Sequence, residues 1–141
     1  HRWFDSGDLQ SVEMLHAIVL CCLETPDIKH WLPTREAKLV QTYRKRHGLE
    51  PDNLVIRVSA TMISDAPIKG HTHTSTVHKH KETVHGKECL AYRTNKENIV
   101  VDLETFKAMS RPDKKEQDFG HCGDCRACWS KDVANISYPL H

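Results

Sequence analysis

The stretch that decides the fold runs Val12-Glu13-Met14-Leu15-His16-Ala17-Ile18-Val19-Leu20-Cys21-Cys22-Leu23, then Glu24-Thr25-Pro26-Asp27, then Ile28-Lys29-His30-Trp31-Leu32. In its first part Val12, Leu15, Val19 and Cys22 recur at three- and four-residue spacing, and Leu9, Ile18 and Leu23 widen the stripe. That periodicity is one face of an amphipathic helix. Asp8 is expected as its N-cap. Pro26 ends it by pushing Thr25 out of helical geometry. The small thiols Cys21 and Cys22 read as buried hydrophobes within it. Ile28 to Leu32 then reads as a strand.

Towards the N-terminus, His1-Arg2-Trp3-Phe4 reads as another short strand and Asp5-Ser6-Gly7-Asp8 as a turn. In the other direction Pro33-Thr34 closes the strand, and Thr34 is expected to cap a second helix. Ala37, Leu39, Val40 and Tyr43 form its buried side, and Gly48 stops it. Its last turn carries Arg44-Lys45-Arg46-His47, which suits the negative end of the helix dipole. Pro51-Asp52-Asn53 is a turn, and Leu54 to Ala60 is a third strand.

Strand, helix, strand, helix, strand with short connections predicts an α/β fold. Its βαβαβ order implies a parallel sheet, either a partial barrel or an open sheet. Parallel sheets bind ligands beyond the carboxyl ends of their strands. Asp5, Ser6 and Asp8, then Arg35 and Glu36, then Ser59 fall at those ends. They are expected to line a polar pocket for a small or nucleotide-like ligand, with the Arg35 fork meeting its negative charge.

Composition shifts after Pro67. Three segments follow from it: an α/β part over 1–66, a His-rich loop over 67–88 and a Cys-cluster segment over 89–141, together one compact unit. His71, His73, His78, His80 and His85 crowd the loop. A solvated segment is the expectation there, with imidazole pairs as metal ligands the alternative. Further on, Ile99 to Leu103 is expected as a strand, Glu104 to Met109 as a short helix and Arg111 to Asp118 as a surface loop.

A hydrophobic fraction of 38%, a charged fraction of 28% and a net charge of +1 suit an ordinary globular chain. They do not support a dedicated nucleic-acid binder, which carries a clear basic excess. No apolar run approaches the ~20 residues that cross a bilayer. No leader pattern is visible, so the expected compartment is the cytoplasm. The chain opens at His1, inside strand-like residues and without Met, so a preceding segment is expected.

The chemistry concentrates in His121-Cys122-Gly123-Asp124-Cys125-Arg126-Ala127-Cys128-Trp129. Two-residue spacing lets neighbouring thiolates face one centre. Zinc modules separate two such pairs by a long loop. Three cysteines in one tight loop, completed by a distant fourth, are instead the pattern of a ferredoxin-type cluster. Cys89 is the cysteine outside the first helix able to serve as that fourth ligand. The expectation is therefore a [4Fe–4S] cluster on Cys89, Cys122, Cys125 and Cys128. The alternative is zinc, with His121 competing as a ligand. Three disulfides fit this spacing poorly.

Phe4-Asp5-Ser6-Gly7-Asp8, Ser59-Ala60, Cys122-Gly123-Asp124-Cys125-Arg126-Ala127-Cys128-Trp129 and Asn135-Ile136-Ser137-Tyr138 together resemble the phage "gene product eighty-eight" family. The resemblance spans most of the chain. It places Cys89-Leu90-Ala91-Tyr92 on a family Cys-Pro-Ala-Tyr motif, with Leu90 in place of the Pro and a longer stretch before Cys122. The resemblance also implies a host cytoplasm, a preceding radical-S-adenosylmethionine-like segment and an auxiliary role for this cluster. It names no reaction. Three functions follow: an iron–sulfur α/β protein, which the resemblance would make the later part of a radical enzyme; a zinc-stabilised nucleic-acid-binding module or nuclease; or an interaction protein stapled by metal.

Overall fold

The computed structural model describes residues 1–79 and 82–140. The chain divides into two compact units, His1–Lys87 with Ala127–His141, and Glu88–Arg126. Composition alone placed its boundaries after residues 66 and 88; the spatial division instead returns the last fifteen residues to the first unit.

The first unit is built on a sheet. Its strands are β1 (His30–Thr34), β2 (Leu54–Ser59), β3 (Thr74–His78), β4 (Lys87–Glu88) and β5 (Asn135–Pro139), in the order β1-β2-β3-β5-β4. The pairings β1–β2, β2–β3 and β3–β5 are all parallel. The α/β class expected from the sequence is therefore the class observed. Helices α1 (Val12–Leu23) and α2 (Ala37–His47) lie on one face. The alternation of β-strand side chains puts Leu32, Leu54, Ile56 and Val58 on that face. They join Leu15, Ile18, Val19, Cys22, Val40 and Tyr43 in one apolar core.

Several expected boundaries move, each for a visible reason. His1–Phe4 makes only an isolated parallel bridge, Arg2 to Trp31, and Phe4 turns left-handed at φ 57°. Ser11, not Asp8, caps α1: its hydroxyl accepts the Met14 N–H at 3.0 Å. The strand expected over 28–32 starts at His30, because Asn53 holds the carbonyls of Cys22, Thr25 and Ile28 in a turn. It also runs through Pro33, which pairs in register with Arg57. Thr34 is the last residue of that strand rather than the N-cap of α2, although its hydroxyl still accepts the Glu36 N–H.

The basic run of α2 does more than meet a dipole. Arg44 grips Glu50 with two hydrogen bonds, 2.9 and 2.5 Å, and His47 stacks on Tyr43 and His16. Of the two helix cysteines only Cys22 is buried; Cys21 is exposed. Burial pushes the Cys22 thiol up to about 11, which leaves it inert.

The segment expected as a His-rich loop contains β3. Its side chains Thr74, Thr76 and His78 share one face without an apolar residue among them, so period-two hydrophobicity has nothing to show. They are buried and satisfied by polar partners instead. Thr74 donates to Asn135 Oδ1 at 2.8 Å, Asn135 Nδ2 donates to Thr76, Thr76 donates to Ser137, and Ser137 bonds His78 at 2.7 Å.

The second unit, Glu88–Arg126, contains a 3₁₀ turn at Ala91–Arg93, α3 (Leu103–Ala108) and α4 (Arg111–Glu116). The strand expected over 99–103 shrinks to a bridge between Thr94 and Val100. The short helix expected after it is present as α3. The surface loop expected over 111–118 is largely α4, fixed by a capping box between Ser110 and Asp113 with Pro112 in its first turn.

Candidate functional site

Within the second unit the Cys122–Cys125 loop is held from below. The carbonyl of Thr94 accepts the N–H groups of Gly120 and His121, at 3.1 and 3.2 Å. The Thr94 hydroxyl in turn donates to the Leu90 carbonyl at 2.8 Å, just beyond Cys89. These bonds bring two distant stretches of sequence together. Asn98 then clamps the tip: its Nδ2 donates to Asp124 Oδ2 at 2.5 Å and its Oδ1 accepts the Asp124 N–H at 3.2 Å. The loop closes on itself where the Cys125 N–H donates to the Cys122 carbonyl at 3.0 Å. Gly123 lies at φ +52°, and a β-carbon there would run into the Asn98 side chain. Only glycine fits this turn.

Cys89 is the partly buried thiol of the three; Cys122 and Cys125 are exposed. Burial raises the Cys89 pKa, and the neighbouring Cys122 and Cys125 thiols raise it further. None of the six cysteines forms a disulfide. Among the described residues, no three His, Cys, Asp or Glu side chains are gathered as closely as metal ligands are. His121 is exposed and lies 3.4 Å from Asp118.

Cys128 belongs to the first unit. It sits in a 3₁₀ turn, Ala127–Trp129, with its sulfur 3.3 Å from the Tyr138 hydroxyl. Beneath that turn lies Arg57, fully buried. Its Nε donates to the Cys128 carbonyl at 3.0 Å, and Nη2 to the carbonyls of Ala127 and Ser130, both at 2.9 Å. Nη1 lies 3.4 Å from the carbonyls of Thr74 and Ala134. Sequence reading passed over Arg57. The available signal was a lone cation inside the apolar run Leu54-Val55-Ile56-Arg57-Val58.

The strand-end residues are not gathered round one concavity. The Asp8 carboxylate is taken up by the Thr34 hydroxyl at 2.5 Å and by the N–H groups of Arg35 and Leu9, so it pins the turn after β1. The register puts Thr34 beside Val58 on the helix-covered face, and Ser59, one residue on, points to the opposite face. There Ser59 bonds Ser75 at 2.9 Å. Ser6, Arg35 and Glu36 are exposed, and the Asp5 side chain is 95% exposed with only Arg2 at 3.8 Å. A concavity of about 410 Å³ does exist beyond β3, lined by Ser64, Glu82, Thr83 and His85, none of which belongs to that set. Of the five histidines from 71 to 85, His73 meets the Lys131 carbonyl, His71 meets Gln41, His78 meets Ser137, and His85 borders the concavity. His80 lies outside the described residues.

No described helix is long and apolar enough to cross a membrane. No curated protein and no solved structure matches the chain. The family model described as Gene product 88 matches residues 1–131, which takes in the strand-end turn, both helices of the sheet unit and the whole cysteine loop. By that match the chain belongs to the Gene product 88 family.

Proposed function

We propose that the chain is a metal-binding protein whose centre is built on Cys89, Cys122 and Cys125, and that the metal is an iron–sulfur cluster in preference to zinc. One observation carries this reading. Cys89 lies far from the C-x2-C pair in sequence, yet both fall in the unit Glu88–Arg126, where Thr94 is hydrogen-bonded to Leu90 on one side and to Gly120 and His121 on the other. Three soft donors without a disulfide in one small unit suit a thiophilic metal. The loop geometry supports the same reading, because Asn98, Thr94 and Gly123 hold the cysteine turn before any metal arrives.

The C-x2-C-x2-C run names Cys128 as a ligand beside Cys122 and Cys125, and His121 is the competing ligand. Closely spaced cysteines completed by a distant one favour iron–sulfur over zinc. A bound cluster would supply electron transfer, and Cys89, Cys122, Cys125 and Cys128 would hold it.

Metal analysis of anaerobically purified protein tests the reading. About four iron and four sulfide per chain, with a brown colour, are expected for a [4Fe–4S] cluster. One zinc per chain would retain the centre and change the metal. Protein that is folded and free of stoichiometric metal would overturn the proposal. Cys128→Ser and His121→Ala then separate the fourth ligands, because only the true ligand's loss lowers the metal content.

A further inference from the structure

Four residues line the concavity of about 410 Å³ beyond β3: Ser64 from the loop after β2, and Glu82, Thr83 and His85 from the loop after β3. All four belong to the sheet unit. Their loops leave the carboxyl ends of two neighbouring parallel strands. That edge is where open parallel sheets bind small molecules.

The wall of the concavity is tied to the sheet at each side. The Ser64 N–H donates to the Val77 carbonyl at 2.7 Å, and Ser64 is left-handed at φ 69°. A non-glycine residue persists in that conformation where its surroundings over-determine it, and such residues cluster at ligand clamps. The Ser64 hydroxyl donates to Glu82 Oε2 at 2.5 Å, and the same oxygen accepts the Lys79 N–H at 2.9 Å. On the other side the His85 carbonyl accepts Asn135 Nδ2 at 2.6 Å. Asn135 also donates to Thr76 and accepts from Thr74, so the His85 backbone hangs from the buried polar ladder of β3 and β5. A satisfied polar network fixes positions that an apolar pair of strands would leave free. At Gly86, φ +72°, a β-carbon would come within 2.5 Å of the Asn135 carbonyl oxygen, so the loop lies directly on β5.

The chemistry of the wall selects a ligand class. A carboxylate has about four acceptor sites. Those of Glu82 Oε2 are taken by Ser64 and Lys79, while Oε1 accepts no hydrogen bond among the described residues. Oε1 therefore has room for a pair of donors. The Thr83 hydroxyl and the His85 ring can each donate as well as accept. An ammonium ligand could only donate and would leave those donors unused. A phosphate could only accept, and it would meet the like charge of Glu82. Adjacent hydroxyl groups do both. We infer that this concavity is a second ligand site, for a small neutral molecule carrying a vicinal diol, with Glu82 accepting from the diol and Thr83 and His85 donating to its oxygens. The volume lies within the range of small-ligand pockets. The site goes beyond the metal-binding reading and does not depend on it, because none of its residues is a proposed metal ligand.

Amide chemical shifts of the full, metal-loaded chain test the inference. The probes are methyl ribofuranoside, uridine, the matching riboside lacking both hydroxyls of the diol, and methylammonium. Saturable shifts at Ser64, Glu82, Thr83 and His85 are expected with a diol probe and not with the other two. A response to the simple riboside assigns the site to a free sugar; a response to uridine alone assigns it to the sugar of a nucleoside. Glu82→Gln should weaken binding about tenfold or more, since bonds to a charged acceptor are the strong ones. Thr83→Val, which removes only an exposed hydroxyl, should weaken it less, and it keeps the test decisive if the first variant fails to fold. Asp5→Asn, outside the concavity, should bind as the parent does. No saturable shift with either diol, equal binding of the riboside without the diol, tighter binding of methylammonium, or unaltered affinity in both concavity variants would each overturn the inference. None of these results touches the metal content, so the two readings fail separately.

Discussion

The two units of this chain are held together by different physics. The sheet unit buries Leu15, Leu32, Leu54, Ile56, Val40 and Val58 at or near zero exposure, between two helices and a parallel sheet. Burying one such side chain contributes about 1.5–3 kcal/mol. The unit formed by residues 88–126, 39 in all, buries no apolar residue to that degree; its two buried residues are Thr94 and Asn95. In place of a core it has half-buried rings in edge contact, Tyr92 with Phe106 and Phe106 with Phe119, and a dense set of local hydrogen bonds. A stretch below ~40 residues without a core ordinarily needs a disulfide, a metal or a partner. Its cysteines form no disulfide. The comparison therefore fits the metal reading: the unit that lacks a core is the one that carries Cys89, Cys122 and Cys125.

Removing the metal is the most severe way to break the comparison. A structural metal in a small cysteine site contributes on the order of 10 kcal/mol to folding. On chelation, or in Cys125→Ala, the amides of 88–126 are expected to lose hydrogen-exchange protection. Those of β2 and β5 are expected to keep theirs, because the sheet's core does not depend on the metal. Mass-spectrometric exchange reads both at once. Uniform protection before and after chelation would show that the second unit stands without a metal.

Truncating side chains in each unit sharpens the contrast. Leu32→Ala opens a cavity in a site with no exposure, and about 2–5 kcal/mol should be lost in urea denaturation. Phe106→Ala removes two edge contacts and the Lys114 ammonium that lies 4.4 Å over the ring. Being half-buried, it should cost less, about 1–2 kcal/mol. Equal losses would mean that the second unit has a core of its own.

The same contrast explains what the sequence disclosed. The amphipathic stripe of α1, the apolar run of β2 and the stop at Gly48 are written in hydrophobic period and turn chemistry, so the α/β class was legible before any coordinates. β3 was not, because Thr74, Thr76 and His78 are buried through hydrogen bonds, and a polar buried strand looks like a loop. Nor was the end of the chain: β5 joins the sheet beside β3 through long-range pairing that no local pattern announces. At the candidate centre, the cysteine spacing was legible in the sequence. The supports were not. Asn98 and Gly123 matter through a close approach between two loops, and Asn98 itself sits at φ 65°. The polar strand-end set failed to assemble because each member already had a local use, as Asp8 shows by pinning the turn at Thr34.

Gly123→Ala probes that close approach. The substitution forces a β-carbon towards the Asn98 side chain and leaves a non-glycine residue at φ +52°. A loss of about 1–2 kcal/mol is expected from the backbone alone. It should appear as lowered metal affinity in the second unit and leave the melting of the sheet unit unchanged. Adding Asn98→Ala relieves the clash and should recover part of the affinity; no recovery would mean that the strain is not between these two loops.

The smallest expected effect belongs to the sheet unit and is set by pH. His30 is buried in β1, bonded through Nε2 to the Thr25 hydroxyl at 2.9 Å and stacked on Trp3, while its Nδ1 has no partner. Burial lowers its pKa below the ordinary imidazole value of 6.5. The sign follows from proton counting. Above 6.5 both folded and unfolded forms hold a neutral ring, and pH has no leverage. Falling below 6.5, the unfolded chain takes up the proton first, so stability declines. The decline stops once the pH is below the folded value, where both forms are charged. His71, half-buried against Gln41, is lowered in the same direction by burial and by Arg44, so it adds to the same slope. His30→Gln should therefore flatten the fall in urea midpoint between neutral and mildly acidic pH without abolishing it, whatever it costs at neutral pH. An unaltered slope in that variant would mean that His30 is protonated as readily in the folded sheet as in the unfolded chain.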